Sequence, residues 1–313
     1  MALSPLGRNP IENSALGNID DPLRLPTVPV TLPKRPRKTC LTVRLSITIQ
    51  LDYALPQSAD VLMQIEAAAL PDQSVEHAFI RVDHNTALAQ PGLTFPGLTR
   101  IAAQDGVGER IWFHPEEGFA VFHEARIAID RPAKVIGNLP ADSLPALPAE
   151  VVKYLFASRF CPVDTLQTTA VELFGHLKGG AAVQAICDWI GGHLSYVAGS
   201  STASTTALDT FHSRNGVCRD YAHLLIALVR SLGIPARMVS ALSPGVDPPD
   251  FHAVAQVWLA GGWHLIDATG MADPSRTAII GVGRDAADIA FLTIFGTSAL
   301  NQQSVQVTEL TVS

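Results

Sequence analysis

From Leu41 to Tyr53 every odd position is apolar: Leu41, Val43, Leu45, Ile47, Ile49, Leu51 and Tyr53. Thr42, Arg44, Ser46, Thr48, Gln50 and Asp52 fill the even positions. Side chains alternate across a strand with a period of two, so this run predicts one long strand with an apolar face and a polar face. Weaker or equal alternation recurs in "VLMQIEAAAL" at 61–70, "HAFIRVD" at 77–83, "ERIWFH" at 109–114 and "FAVFHEARIAID" at 118–129, each set off by turn residues. Residues 40–131 therefore predict an antiparallel sandwich or barrel domain.

Pro132, Pro140, Pro145 and Pro148 mark a linker, after which the pattern turns helical at about 149–158, 165–178 and 181–193. Strand-like pieces follow at 236–242, 252–259, 263–267 and 304–312. Residues 149–313 predict a second domain of mixed α+β class, with an antiparallel sheet packed on a central helix. The Ser/Thr-rich run "GSSTASTTALDT" at 199–210 reads as a loop leading to that helix. No internal repeat of useful period is present.

Residues 1–39 hold seven of the 22 prolines and show no hydrophobic periodicity and no apolar segment of the kind a signal peptide needs, which predicts a flexible proline-rich arm. A net charge of -7 and a pI near 5.8 argue against nucleic acid or an anionic membrane as partner. The one basic run, "KRPRK" at 34–38, reads as a solvated tether within the arm. No stretch offers about 18 consecutive apolar residues, so no membrane span is expected. Four cysteines, at 40, 161, 187 and 218, without an export signal point to free thiols and a cytoplasmic protein. The ten histidines are scattered and no Cys-x-x-Cys or His-x-x-x-His pair occurs, so a metal site is not expected. Homo-oligomerisation is left open.

The central helix lies in "RNGVCRDYAHLLIALVRSLGIPAR", residues 214–237. Tyr221, Ala222, Leu224, Leu225, Leu228, Val229 and Leu232 repeat at helical spacing, and Ile226 and Ala227 widen the stripe until the helix must be buried. Asn215 and Gly216 precede it, Gly233 stops it and Pro235 prevents continuation. Cys218 thus falls at or beside the first helical position. There the helix dipole and unpaired N–H groups favour a thiolate and can hold an oxyanion. A lone cysteine in that place is more often a packing atom.

Two further residues shift the balance. The strands at 252–259 and 263–267 are joined by "AGG" and form a hairpin candidate. A two-residue loop at Ala260 and Gly261 pairs Leu259 with Gly262 and sets Asp267 opposite Val254. His252 then shares a face with Asp267 at a diagonal distance of roughly 7–8 Å. Moving the loop to Gly261 and Gly262 keeps that face, and a three-residue loop reverses it. A carboxylate on one imidazole nitrogen fixes the tautomer and frees the other nitrogen for a thiol proton. Cys218, His252 and Asp267 then supply nucleophile, base and orienter for thiol acyl transfer.

The segments "GVCRDYAHLLIALVRSLGIPAR", "PPDFHAVAQVWLAGGWHLIDAT" and "GRDAADIAF" resemble the bacterial transglutaminase-like family, whose members are described as predicted cysteine proteases with a Cys, His, Asp triad on a papain-like core. The likeness runs over most of residues 41–296, including "SRFCPVD" and "TALDT". It implies an N-terminal β-sandwich, with Cys218 as nucleophile, His252 as base and Asp267 as orienting acid. Ala253 and Gly270 stand where the family commonly has bulky and basic residues, which implies an altered substrate cleft. The proline-rich arm lies outside the resemblance.

Around the three, Arg219 and Asp220 are candidates for a supporting role, with a structural ion pair as the plainer assignment. Tyr196, Asp209 and His264 are candidate cleft or supporting groups. His223 is too far round the helix to act on Cys218 and reads as a hydrogen-bonded core histidine. The expected chemistry is a thioester acyl-enzyme formed from a peptide or protein substrate, with no cofactor and no Asp-x-Asp-x-Asp-Gly calcium loop. Water as acceptor gives a peptidase or amidase, and an amine gives a transglutaminase. The rivals are a non-catalytic peptide-binding or scaffold module, and a redox sensor using Cys161 or Cys187 as resolving thiol.

Overall fold

A computed structural model describes residues 42–84 and 98–311, and the alternating run becomes its first strand, β1 (Val43–Ala54). The arm expected at 1–39 and Cys40 lie outside the described residues. Then come β2 (Val61–Met63), β3 (Gln73–His84), β4 (Thr99–Ala102), β5 (Glu109–Phe113) and β6 (Gly118–Ile129). Beyond the linker the chain forms α1 (Ala149–Val152), α2 (Val163–Phe174), α3 (Gly179–His193), the short β7 (Ser195–Tyr196), α4 (Ala207–Ser213), β8 (Asn215–Gly216) and α5 (Cys218–Ser231). Six strands follow: β9 (Ala236–Leu242), β10 (His252–Leu259), β11 (Gly262–Ile266), β12 (Ala278–Gly283), β13 (Leu292–Ile294) and β14 (Ala299–Leu310).

Two four-stranded antiparallel sheets, β14-β1-β6-β3 and β13-β2-β5-β4, share one apolar core. Leu45, Ile47, Ile49 and Leu51 of β1 are at most 1% exposed and cluster with Val61, Met63, Ile111 and Phe113 of the facing sheet. Burying each such side chain contributes about 1.5–3 kcal/mol before chain entropy is counted. The period-two pattern therefore selects the face that was expected to be dry.

The strand expected at 61–70 ends early, because after Met63 the chain turns to the neighbouring sheet. Ala68 N–H donates to Ile279 O at 2.8 Å. The buried Gln73 amide donates to Ala68 O and Ile279 O at 2.7 and 2.8 Å, while its oxygen accepts from Ile279 N–H at 2.7 Å. These bonds fasten the sandwich to β12.

The strand expected at 304–312 also departs from its expected place in the second domain. It forms β14, which pairs with β1 along nearly its whole length, Ile49 facing Val305 and Ile47 facing Val307. β13 pairs in turn with β2. Alternation predicts that a strand exists and says nothing of its partner.

A third four-stranded sheet, β11-β10-β9-β12, is antiparallel and carries α5 against it. Leu224 through Val229 are fully buried, and α2 and α3 add Leu166, Ala170, Val183 and Ile186 to the same core. The chain is thus of mixed α+β class. The helix expected at 149–158 is only the four-residue α1 followed by a 3-10 turn at Lys153–Leu155. There Tyr154 is drawn fully inside, and its hydroxyl donates to Asp105 at 2.6 Å. Within the expected 199–210 loop, α4 starts at Ala207, because Thr206 and Asp209 cap each other reciprocally at 2.9 and 3.3 Å.

Candidate active site

Cys218 is the first residue of α5, and its half-exposed thiol sits where the strand-like turn β8 becomes a helix. The fully buried Asp220 fixes this turn, with its Oδ2 accepting from Val217 N–H at 2.9 Å. Gly216 must be glycine here: a Cβ would lie 2.7 Å from Asp220 Cβ. Parallel pairing sets Gly216 beside Tyr196, and Val197 N–H donates to Gly216 O at 3.0 Å. The first N–H groups of a helix have no carbonyl four residues back to bond; here Asp220 N–H turns to Val217 O at 2.9 Å, and the Cys218 backbone meets the Tyr196 hydroxyl.

His252 opens β10, where it pairs with Ala241 of β9. Ala260 and Gly261 both adopt positive φ, 51° and 74°, as a two-residue hairpin loop requires. Leu259 consequently faces Gly262, and Ala255 faces Ile266. One step further, Asp267 comes within reach of His252. His252 Nε2–H donates to Asp267 Oδ2 at 2.9 Å, with both side chains almost fully buried. The other ring nitrogen, Nδ1, has no completed hydrogen bond to any described residue, and the Cys218 side chain lies close enough to interact with the ring.

Burial works against a charged imidazole. The hydrogen bond to Asp267 and the neighbouring Cys218 outweigh it and raise the His252 pKa to about 9. Asp267 is likewise opposed by burial yet held below the usual carboxylate range by His252 and by backbone donors. Thr269 N–H and Ala272 N–H donate to it at 2.9 and 2.8 Å, and Thr269 Oγ1 bonds both oxygens at 2.8 Å. Thr269 and Ala272 escaped the sequence reading. The Asp-x-Thr spacing of "DAT" is the signal that marks such a turn.

Of the surrounding candidates, Tyr196 is at the site. Its hydroxyl interacts with both backbone and thiol of Cys218, and burial followed by the Cys218 charge pushes its pKa to about 12. Arg219 pairs with Asp220 at 3.1 Å and donates to Thr202 O at 2.7 Å, tying the Ser/Thr-rich loop to the helix start. Asp209 is used in the α4 cap on an exposed turn. His264 Nε2–H donates to Leu259 O at 2.9 Å at the far end of the hairpin from His252.

His223 is a core group. Its Nε2 accepts from Ala286 N–H at 3.2 Å, its ring stacks on Phe160, and burial lowers its pKa to about 4. Cys161 and Cys187 are free thiols whose pKa values burial pushes up to about 12. Asp250, missed in the sequence, accepts from Phe251 N–H at 2.7 Å and from Gln303 Nε2 of β14 at 2.6 Å. Its charge acts on Tyr196, so the sandwich reaches the edge of the site. Among the described residues no three His, Cys, Asp or Glu side chains are grouped as a metal site would group them.

Residues 168–268, which contain Cys218, His252 and Asp267, match the family model of the transglutaminase-like superfamily. The chain carries a transglutaminase-like domain. A crystal structure from Cytophaga hutchinsonii, described as a candidate cysteine protease, superposes with a TM-score of 0.76 at 28% identity, covering 87% of this chain and 92% of that one. An uncharacterised protein of Mycobacterium leprae is 38% identical over 118 residues, 35% of this chain and 42% of its own length. One from Mycobacterium tuberculosis is 34% identical over 111 residues, 30% of this chain and 35% of its own. The matched stretch therefore spans well under half of these curated relatives. The transglutaminase-like domain and its structural neighbour support a thiol-dependent enzyme family.

Proposed function

We propose that this transglutaminase-like protein is a cysteine hydrolase, a peptidase or amidase, with Cys218 as nucleophile, His252 as acid and base and Asp267 as orienter. The observation that carries the reading is the bond from His252 Nε2 to Asp267 at 2.9 Å, which leaves Nδ1 for the Cys218 side. An imidazolium beside a thiol favours the thiolate. The Cys218 thiolate attacks the carbonyl carbon, the carbonyl electrons move to oxygen, and N–H groups at the start of α5 receive that charge. Collapse breaks the C–N bond while His252 gives its proton to the leaving amine, and a thioester remains. His252 then takes a proton from water, whose oxygen displaces the sulfur and releases the acid.

This chemistry asks for no cofactor, and its substrate is a peptide or protein carboxamide. The free state of Cys161, Cys187 and Cys218 suits a reducing, cytoplasmic setting. No helix of the described residues is long and apolar enough to cross a membrane.

The test is the rate of Cys218 alkylation by iodoacetamide against pH, read by peptide mass spectrometry in wild type and His252→Ala. Rapid labelling well below the free-thiol pKa of about 8.5, lost or shifted in the variant, supports the enzyme. Slow labelling in both proteins with an ordinary thiol titration overturns it and leaves a peptide-binding module.

A further inference from the structure

A cavity of about 520 Å³ lies apart from this site, and none of Cys218, His252 and Asp267 lines it. Its walls come from the 131–136 linker, the sandwich loop at Leu70 and the sheet formed by β9 to β12. The volume falls within the roughly 300–1,000 Å³ usual for small-molecule sites.

Its apolar surface includes Val107, Leu265, Ile279 and Val282. One flat wall is the Arg237 guanidinium, 4.1 Å from the centre of the Trp263 ring. That cation is already committed, with Nε donating to Gln256 Oε1 at 2.8 Å and Nη1 to Asp105 at 3.1 Å.

Three polar groups on the lining have no counterpart. His264 is 7% exposed, and its bond to Leu259 O requires the proton on Nε2. Burial disfavours its charged form, so Nδ1 is a bare acceptor with no partner among the described residues. Gln256 is 8% exposed, and because its oxygen serves Arg237, its Nε2 amide is a donor with no partner among the same residues. Lys134 stands exposed on the lining, near enough to His264 to act on it, with no ion pair to a described residue. The carboxylates nearby are engaged: Asp72 with Arg131 at 2.6 Å, Asp273 with Ser275 N–H at 2.9 Å and Asp142 with Gly261 N–H at 2.9 Å. None of these three groups is sealed from solvent, so each is open to a molecule that enters the cavity.

We propose that this cavity binds a small apolar carboxylate that carries one N–H or O–H donor, the chemistry of an acylated hydrophobic amino acid. The carboxylate meets Lys134 Nζ and Gln256 Nε2, the donor meets His264 Nδ1, and the apolar body lies against Leu265, Val282 and the Trp263 wall. The site is independent of the hydrolase reading, since it uses none of the same residues.

The probe is N-acetyl-L-phenylalanine, titrated calorimetrically into the full chain, with N-acetyl-L-phenylalaninamide as its uncharged counterpart. Wild type should bind the acid with a Kd below about 1 mM, and the amide about tenfold more weakly. Lys134→Glu, an exposed change that leaves the core intact, should weaken the acid by about tenfold or more, and Lys134→Arg should restore it. The imidazole resonances of His264 should shift on binding. Prior alkylation of Cys218 should change nothing, which separates this cavity from a product-binding cleft at the thiol. Absence of binding to about 10 mM, equal affinity in Lys134→Glu, or loss of binding on Cys218 alkylation overturns the proposal.

Discussion

Asp267→Asn keeps the shape of the side chain and removes its charge, and the hydrogen bonds around it set the cost. Both carboxylate oxygens act only as acceptors toward Thr269 N–H, Ala272 N–H and His252 Nε2–H. An amide has one oxygen and one NH₂. Turned one way, its NH₂ confronts Thr269 N–H, 2.9 Å from the present oxygen; turned the other way, it confronts Ala272 N–H at 2.8 Å and His252. A buried donor stripped of its acceptor costs about 1–3 kcal/mol. The rise of the His252 pKa from 6.5 to about 9 corresponds to roughly 3 kcal/mol favouring the imidazolium, shared between Asp267 and Cys218. Losing the Asp267 share adds roughly 1–2 kcal/mol, so Asp267→Asn should destabilise the fold by about 2–5 kcal/mol at pH 7. Urea unfolding followed by circular dichroism measures it. Turnover should fall, by up to a factor on the order of 10⁴ where the NH₂ turns to His252 and the imidazole tautomer is lost. A stability loss under about 0.5 kcal/mol, together with an unchanged Cys218 alkylation profile, would refute the reasoning.

The pH dependence follows from the same ring. Turnover should decline as pH rises through about 9, where His252 loses the proton that the leaving amine requires. Because that pKa is raised on folding, the stability it contributes is complete below 6.5 and disappears over the same alkaline window, so the urea midpoint should drop between pH 7 and 10. Gly216→Ala should press a methyl group into Asp220, 2.7 Å from its Cβ, and cost about 1–3 kcal/mol. It should also slow Cys218 alkylation, and normal stability with normal alkylation would show that the turn before α5 yields freely.

What could be read in the sequence was local. The six alternating apolar positions of β1, the unbroken apolar helix behind Cys218 and the two-residue loop that aligns His252 with Asp267 each lie within one or two neighbouring elements. Their periodicities of 2 and 3.6 survive without knowledge of the partner. Non-local pairings were beyond such patterns. Nothing in "VLMQIEAAAL" says that the chain abandons the sheet at Met63 to bond Ile279, because the Gln73 amide that fastens it reads as an ordinary polar residue. The cap role of Asp209 was hidden for a similar reason, since a carboxylate three residues after a threonine serves a helix cap as well as it would line a cleft. Asp250 could not be placed because its bond comes from Gln303, on a strand expected within the second domain that instead joins the N-terminal sandwich.

The union of β1 with β14 also has a consequence for how the chain is made. β1 ends at Ala54 and β14 begins at Ala299, so one flank of the most regular strand has no partner until the residues of β14 have left the ribosome. At about 5–20 residues per second, that interval is roughly 12 to 50 seconds. During it, the N-terminal sheet presents an open row of N–H and C=O groups to any other extended segment nearby. Completion of the sandwich is therefore a late step that follows synthesis of the Cys218 helix, and variants that loosen β14 should show first as aggregation of newly made protein.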